Sequence, residues 1–150
     1  MPPLREQAIE RIRQDHDYML DLGRRIEACC VRGPEVENCW QCLPERQQAC
    51  HANIADLVRT FVEVTLKHTL FESMLMEEGV PDGHRKAHRQ AHLELSEQLK
   101  AIRVVFARDG KCVEAIEGIG AVLATLQRHF EEFDRQLEVY LRAPFQAAQA

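Results

Sequence analysis

The chain has 150 residues, 45% hydrophobic and 29% charged, which is enough for one enclosed core and fits a single domain over 1–150, with a core over about 9–141 and a short Ala/Gln tail over 143–150. The net charge of −5 comes from 19 basic and 24 acidic residues mixed along the chain, which argues against a nucleic-acid partner or an anionic membrane surface. The N-terminus MPPLREQAIERIR has no apolar h-region, and no run of about 18 apolar residues occurs, so the expectation is a soluble, unexported, cytoplasmic protein whose six cysteines are read first as metal-binding or redox thiols.

Apolar residues recur at helical spacing in four long segments without sustained period-two alternation, which predicts an all-α fold. Segment A runs from about Leu4 to Cys30 with Ile9, Ile12, His16, Met19 and Ile26 on one stripe, and Gly33-Pro34 breaks it. Segment B starts near Pro44 and carries Ile54, Leu57, Phe61, Val64, His68, Glu72 and Leu75 before Gly79. Pro81 and Asp82 supply a stop and an N-cap for segment C, with His84, His88, His92, Leu95, Leu99, Ile102 and Phe106, until Asp109-Gly110. Segment D begins near Lys111, carries Ile116, Ile119, Leu123, Leu126, Phe133 and Leu137, and stops before Pro144. Short B–C and C–D connections and a longer, cysteine-rich A–B connection predict an up-down-up-down antiparallel four-helix bundle.

Polar residues interrupt stripes that should be apolar: His16 in A, His68 and Glu72 in B, His88 and His92 in C. The pairs in B and C are four residues apart, so each projects two side chains from one helix face. In segment D, His129 and Asp134 are five apart, about 140° around an ideal helix, and flank the line through Leu126; a local π-bulge would bring their aim together. Burying five histidines and two carboxylates unneutralised would be strongly destabilising. Two divalent metal ions would neutralise them, and imidazole with carboxylate suits iron, zinc or manganese, two six-coordinate irons with bridging carboxylates using the whole set. His16 taken alone reads as a satisfied core histidine or one at a wetted bundle end.

The ordered set of H, H-x3-E, H-x3-H and H-x4-D in four successive helices resembles the hemerythrin family, in particular its bacterial single-domain members, from about Ile9 to Leu141. The resemblance implies a non-haem di-iron centre in which His88, His92 and His129 hold one iron, His16 and His68 hold the other, and Glu72, Asp134 and an oxo or hydroxo group bridge them. It also implies that the iron with two histidines keeps an open position where dioxygen binds as a peroxide. Glu72 precedes His88 by 16 residues and His84 by 12; the longer spacing fits the family, so His84 is expected to be a surface or gating residue. The histidine-rich donor set, without the Glu-x-x-His motifs of ferritin-like oxidases, points to reversible dioxygen binding by a carrier, store or sensor more than to an enzyme. Leu20, Phe71, Leu75, Leu126 and Phe130 are candidates for a dry pocket or for plain core packing.

Cys29, Cys30, Cys39, Cys42 and Cys50 fall within 22 residues of the A–B connection. Three readings stand side by side: a zinc site of four thiolates, a reversible disulfide switch beside the di-iron site, or buried apolar cysteines with only Cys39 and Cys42 accessible. His51 reads as a helix-surface residue and Cys112 as core. The rival functions are nitric-oxide handling or iron delivery and repair, the ligand then being nitric oxide in place of dioxygen, and a structural bundle that holds zinc or no metal.

Overall fold

A computed structural model describes residues 2–29, 42–106 and 112–143. They form α1 (Pro2–Ala28), α2 (Pro44–Leu75), α3 (Asp82–Phe106), α4 (Cys112–His129) and α5 (Arg135–Arg142), with a π-helical turn at Phe130–Asp134 between the last two. The backbone stays right-handed helical through both joints, at His129 (φ −59°, ψ −44°) and Arg135 (φ −62°, ψ −43°), so α4, the π turn and α5 continue as one rod. Four rods therefore pack as an all-helical bundle, and no strand occurs among the described residues. The predicted breaks at Gly33-Pro34 and Asp109-Gly110, the segment start at Lys111 and most of the Ala/Gln tail lie outside the described residues.

Local chemistry explains the helix ends. Leu43 is extended (φ −62°, ψ 146°) and Pro44 opens α2, where a missing N–H costs nothing. After α2, Gly79 adopts φ 74°, a turn conformation that a side chain would strain. Asp82, predicted as a cap outside the helix, is instead the first residue of α3; Pro81 carbonyl accepts the Arg85 N–H at 3.0 Å, and the Asp82 carboxylate pairs with the Arg85 guanidinium. A negative charge in a first helical turn is stabilising, so the residue serves the same helix end by charge in place of capping.

The buried faces divide along the rods. The larger apolar cluster joins Met19, Leu22 and Ile26 with Ile54, Val58, Phe61 and Val62, Leu95, Leu99 and Ile102, and Ala115, Ile119, Val122, Leu123 and Leu126. The smaller one joins Ile9 and Ile12 with Met76, Val80, Leu137 and Leu141. Each such aliphatic side chain contributes about 1.5–3 kcal/mol by leaving water. Gly23 lets α1 approach α4, since a Cβ there would clash with the Leu123 side chain. The predicted face of α2 is turned slightly: Val58, Val62 and Thr65 are buried, whereas Leu57, Val64 and Leu75 are half-buried. The reason is that α2 meets α1, α3 and, more weakly, α4, so its buried arc is wider than one stripe of positions.

Candidate metal centre

The seven polar residues singled out on the stripes meet in the layer between the two apolar clusters. His16 comes from α1, His68 and Glu72 from α2, His88 and His92 from α3, His129 from the end of α4 and Asp134 from the end of the π turn. Glu72, His88 and Asp134 are fully buried, His68, His92 and His129 nearly so, and the His16 side chain is 12% exposed. Ligand atoms of Glu72, His88, His92, His129 and Asp134 lie within 4.8 Å of one another, and so do those of His16, His68, Glu72 and Asp134. The two groups share both carboxylates.

The π turn is what lets α4 and α5 contribute a pair. Five residues on a regular helix would put His129 and Asp134 about 140° apart. Over Phe130–Asp134 the ladder widens, and the Arg135 N–H donates to Phe130 O, an i→i+5 bond. His129 Nε2 and Asp134 Oδ1 are then 3.0 Å apart.

The ring nitrogens face inward in a narrow space. His16 Nε2 donates to Asp134 Oδ2 at 2.7 Å, and His92 Nε2 donates to Glu72 Oε1 at 3.0 Å. His88 Nε2 stands 3.0 Å from Asp134 Oδ1, 3.6 Å from Glu72 Oε1 and 3.1 Å from the Nε2 of His129. His68 Nε2 lies 3.4 Å from Glu72 Oε1 and 3.8 Å from Asp134 Oδ2. These are ion-pair separations, yet His68 Nε2, Glu72 Oε2 and Asp134 Oδ1 have no hydrogen-bond partner among the described residues. Inward atoms that crowd together without pairing are donors aimed at common points, and imidazoles with carboxylates are a donor set for iron, zinc or manganese.

Two of the outer nitrogens are held as well, whereas His92 Nδ1 and His129 Nδ1 have no hydrogen-bond partner among the described residues. Asp15 Oδ2 accepts a hydrogen bond from His68 Nδ1 at 2.9 Å, and His84 Nε2 lies 3.0 Å from His88 Nδ1. Each contact fixes a ring so that its Nε2 faces the layer. His84, expected at the surface or as a gate, is half-buried between Tyr140 and Phe133 and supports His88. Asp15 went unnoticed in the sequence because it sits off the apolar stripe and its partner is 53 residues away on another helix. Its only sequence signal is its place beside His16.

The electrostatics follow from crowding. Burial opposes charge on His68, but Asp134 and Glu72 outweigh it and raise its pKa to about 10. The same balance raises His129 to about 9 and lifts His88. On His92 burial wins over Glu72, and the pKa falls. Burial also lowers His84, to about 4, aided by the charge of His88. Burial and the charge of Asp134 push Glu72 upward, yet His129, His68 and His88 hold it well below the carboxylate range. Asp134 is likewise held low by His129, His16, His68 and His88 against its burial.

Of the predicted cysteine cluster, Cys30 and Cys39 lie outside the described residues. Cys42 is half-buried, and Cys29 and Cys50 pack at the edge of the larger cluster, Cys29 Sγ donating to the Arg25 carbonyl at 3.3 Å. His51 is exposed and stacks on Phe106. Cys112 opens α4. No helix among the described residues is long and apolar enough to cross a membrane.

Residues 7–141 match the family model described as hemerythrin HHE cation binding domain. No curated protein and no solved structure gave a significant match.

Proposed function

Since the chain belongs to the hemerythrin family, we propose that its buried polar layer holds two iron ions and binds dioxygen reversibly, as a carrier, local store or sensor in the cytoplasm. The observation that carries this reading is the convergence of five imidazoles and two carboxylates on two shared groups, with His68 Nε2, Glu72 Oε2 and Asp134 Oδ1 left without a hydrogen-bond partner among the described residues. His88, His92 and His129 hold one ion, His16 and His68 the other, and Glu72 and Asp134 bridge both; the support is that the two donor groups share those carboxylates. The rods run up-down-up-down in this reading. Its support is that Ile9 and Ile12, near the start of α1, pack with Met76 just past α2, while Met19 to Ile26 pack with Ile54 to Val62.

Bound iron would supply the Lewis acidity and the electrons that hold dioxygen. The chain supplies the rest. Asp15 and His84 fix the tautomers of His68 and His88 from outside the layer. Met19, Leu95 and Leu126 close one side with apolar surface, and Ile12 and Leu137 close the other, which keeps bulk water from the donors. Five imidazoles, four of them on buried positions, make neutral donors outnumber the two carboxylates, a donor set that favours holding dioxygen over cleaving it.

The deciding experiment is the visible spectrum of the reduced, iron-loaded protein before oxygen, after oxygen and after its removal. A charge-transfer band that appears and then disappears is the expected result. Irreversible oxidation would move the reading to nitric-oxide handling or iron delivery, for which the half-buried cysteines Cys29, Cys42 and Cys50 are the candidate redox-responsive element. No spectral change would leave zinc and a structural role. For the cysteines, zinc beyond two ions per chain that is lost with Cys39→Ser would mark a thiolate site.

A further inference from the structure

One buried polar group has no use in the layer described above. Thr65 is 0% exposed, and its Oγ1 has no hydrogen-bond partner among the described residues. The other threonines of the chain behave differently. Thr60 donates to Asp56 O at 3.0 Å, Thr69 to Leu66 O at 2.9 Å and Thr125 to Ala121 O at 3.1 Å, the ordinary way a helical hydroxyl is satisfied. All three are on outer or half-buried positions. Thr65, the one fully buried threonine, keeps its hydroxyl unpaired and carries the desolvation cost of a polar group without a partner.

Its place in the fold says what the hydroxyl can reach. Thr65 precedes His68 by three residues and Glu72 by seven on the buried face of α2, one helical turn from the His68 imidazole. The matching positions on the other rods are Met19, three after His16, Leu95, three after His92, and Leu126, three before His129. These three are buried and apolar and belong to one cluster. The layer that covers the centre on the side of the large core is thus apolar except for one hydroxyl, and that hydroxyl stands on the helix that supplies His68.

We propose that Thr65 is the hydrogen-bond donor for a small ligand bound on the His16 and His68 side of the centre, and that it selects ligands that carry or accumulate negative charge. The proposal rests on the two-ion reading. In a dry apolar layer, a single O–H donor strengthens its bond when the acceptor is charged, and a neutral ligand of the same size gains less. Azide, a small anion, is therefore the probe.

The experiment compares the full-length, iron-loaded, oxidised wild type with Thr65→Val, which keeps the shape and loses the hydroxyl, and Thr65→Ser, which keeps the hydroxyl. Azide titration followed by its visible band is expected to show about tenfold weaker binding in Thr65→Val, the effect of about 1.4 kcal/mol for one lost charge-assisted hydrogen bond. Thr65→Ser should stay within about twofold of wild type, since its hydroxyl remains. Iron content should be equal in all three. The metal-free Thr65→Val protein should melt at a higher temperature than metal-free wild type, because an unpaired buried hydroxyl is replaced by a methyl group.

Unchanged azide affinity in Thr65→Val overturns the proposal, and so does a lower melting temperature of its metal-free form, which would mean that the hydroxyl is paired within the fold. Loss of iron from Thr65→Val overturns it too, since the group would then be holding the metal site. A wild type that takes up no iron or binds no azide sinks the two-ion reading and this proposal together. Normal wild-type binding with an indifferent Thr65→Val sinks this proposal alone.

Discussion

The large apolar cluster and the polar layer beside it are built on the same four rods, yet they obey opposite rules. In the apolar half, Phe61, Ile54, Ile119 and Ile26 are fully buried and stabilise the fold simply by leaving water. One turn further along, His68, Glu72, His88 and Asp134 are just as buried, and their burial opposes their charge. The first region supplies the free energy of folding. The second consumes part of it to hold donors in a fixed geometry that solvent would otherwise dissolve. A bundle thus carries a costly polar layer because the apolar half is large enough to stabilise the whole.

The largest break in this contrast should come from Glu72→Ala, which removes a carboxylate shared by both donor groups. Metal analysis should then find both ions lost while circular dichroism stays helical; loss of one ion alone would make Glu72 a ligand to a single ion. Phe61→Ala tests the opposite region. It should lower stability by about 3–5 kcal/mol in denaturant unfolding. Metal per folded chain should stay at the wild-type value, and a parallel loss of metal would mean that the two regions are not separable.

Within the polar layer, His88→Ala should cost most of the bound metal and His84→Ala far less, since His84 touches the layer through His88 Nδ1. Equal losses would reverse the register assigned to α3. Asp15→Asn should weaken metal binding by about 10–100-fold, the usual effect of removing the partner of a ligating histidine. Competition with a chelator measures it, and an effect under twofold would reduce the Asp15–His68 contact to a surface bond.

The smallest and most general effect is on pH. His68 and His129 have pKa values raised to about 10 and about 9, so in the metal-free protein their contribution to stability is complete below about 6.5 and is lost as pH rises through those values. Glu72 and Asp134 are depressed, and their contribution is present above the ordinary carboxylate range and lost as pH falls through their lowered values. Metal-free stability should therefore decline on the alkaline side between about pH 6.5 and 10. Metal ions compete for the same nitrogens, so metal affinity should rise over that window. Calorimetry in two buffers of different ionisation enthalpy would detect the protons released, and a flat profile would show that those imidazoles are not displaced from protons by metal.

Much of this was legible in residue order because period and spacing are local properties. The four apolar stripes, the breaks at Pro81 and Gly79, and the candidate ligand pairs His68-x3-Glu72 and His88-x3-His92 need only the geometry of one helix. Even the π turn was foreshadowed, since His129 and Asp134 sit at a spacing that an ordinary helix cannot aim at one point. The periodicity of α2 points to Leu57 and Val64, whereas the buried positions are the next ones, Val58 and Thr65, because how much of a helix is buried depends on how many neighbours it meets.

What the sequence determined alone, then, is the set of helices and the chemical identity of the donors, both fixed by patterns within a few turns of chain. What only the tertiary structure decided is who stands beside whom: Asp15 against His68, His84 behind His88, Gly23 beneath Leu123, and Thr65 buried without a partner among the described residues. Those relations join residues as far as 100 positions apart on different rods. Packing sets them, because side chains from separate helices compete for the same closed volume and no local period records the outcome.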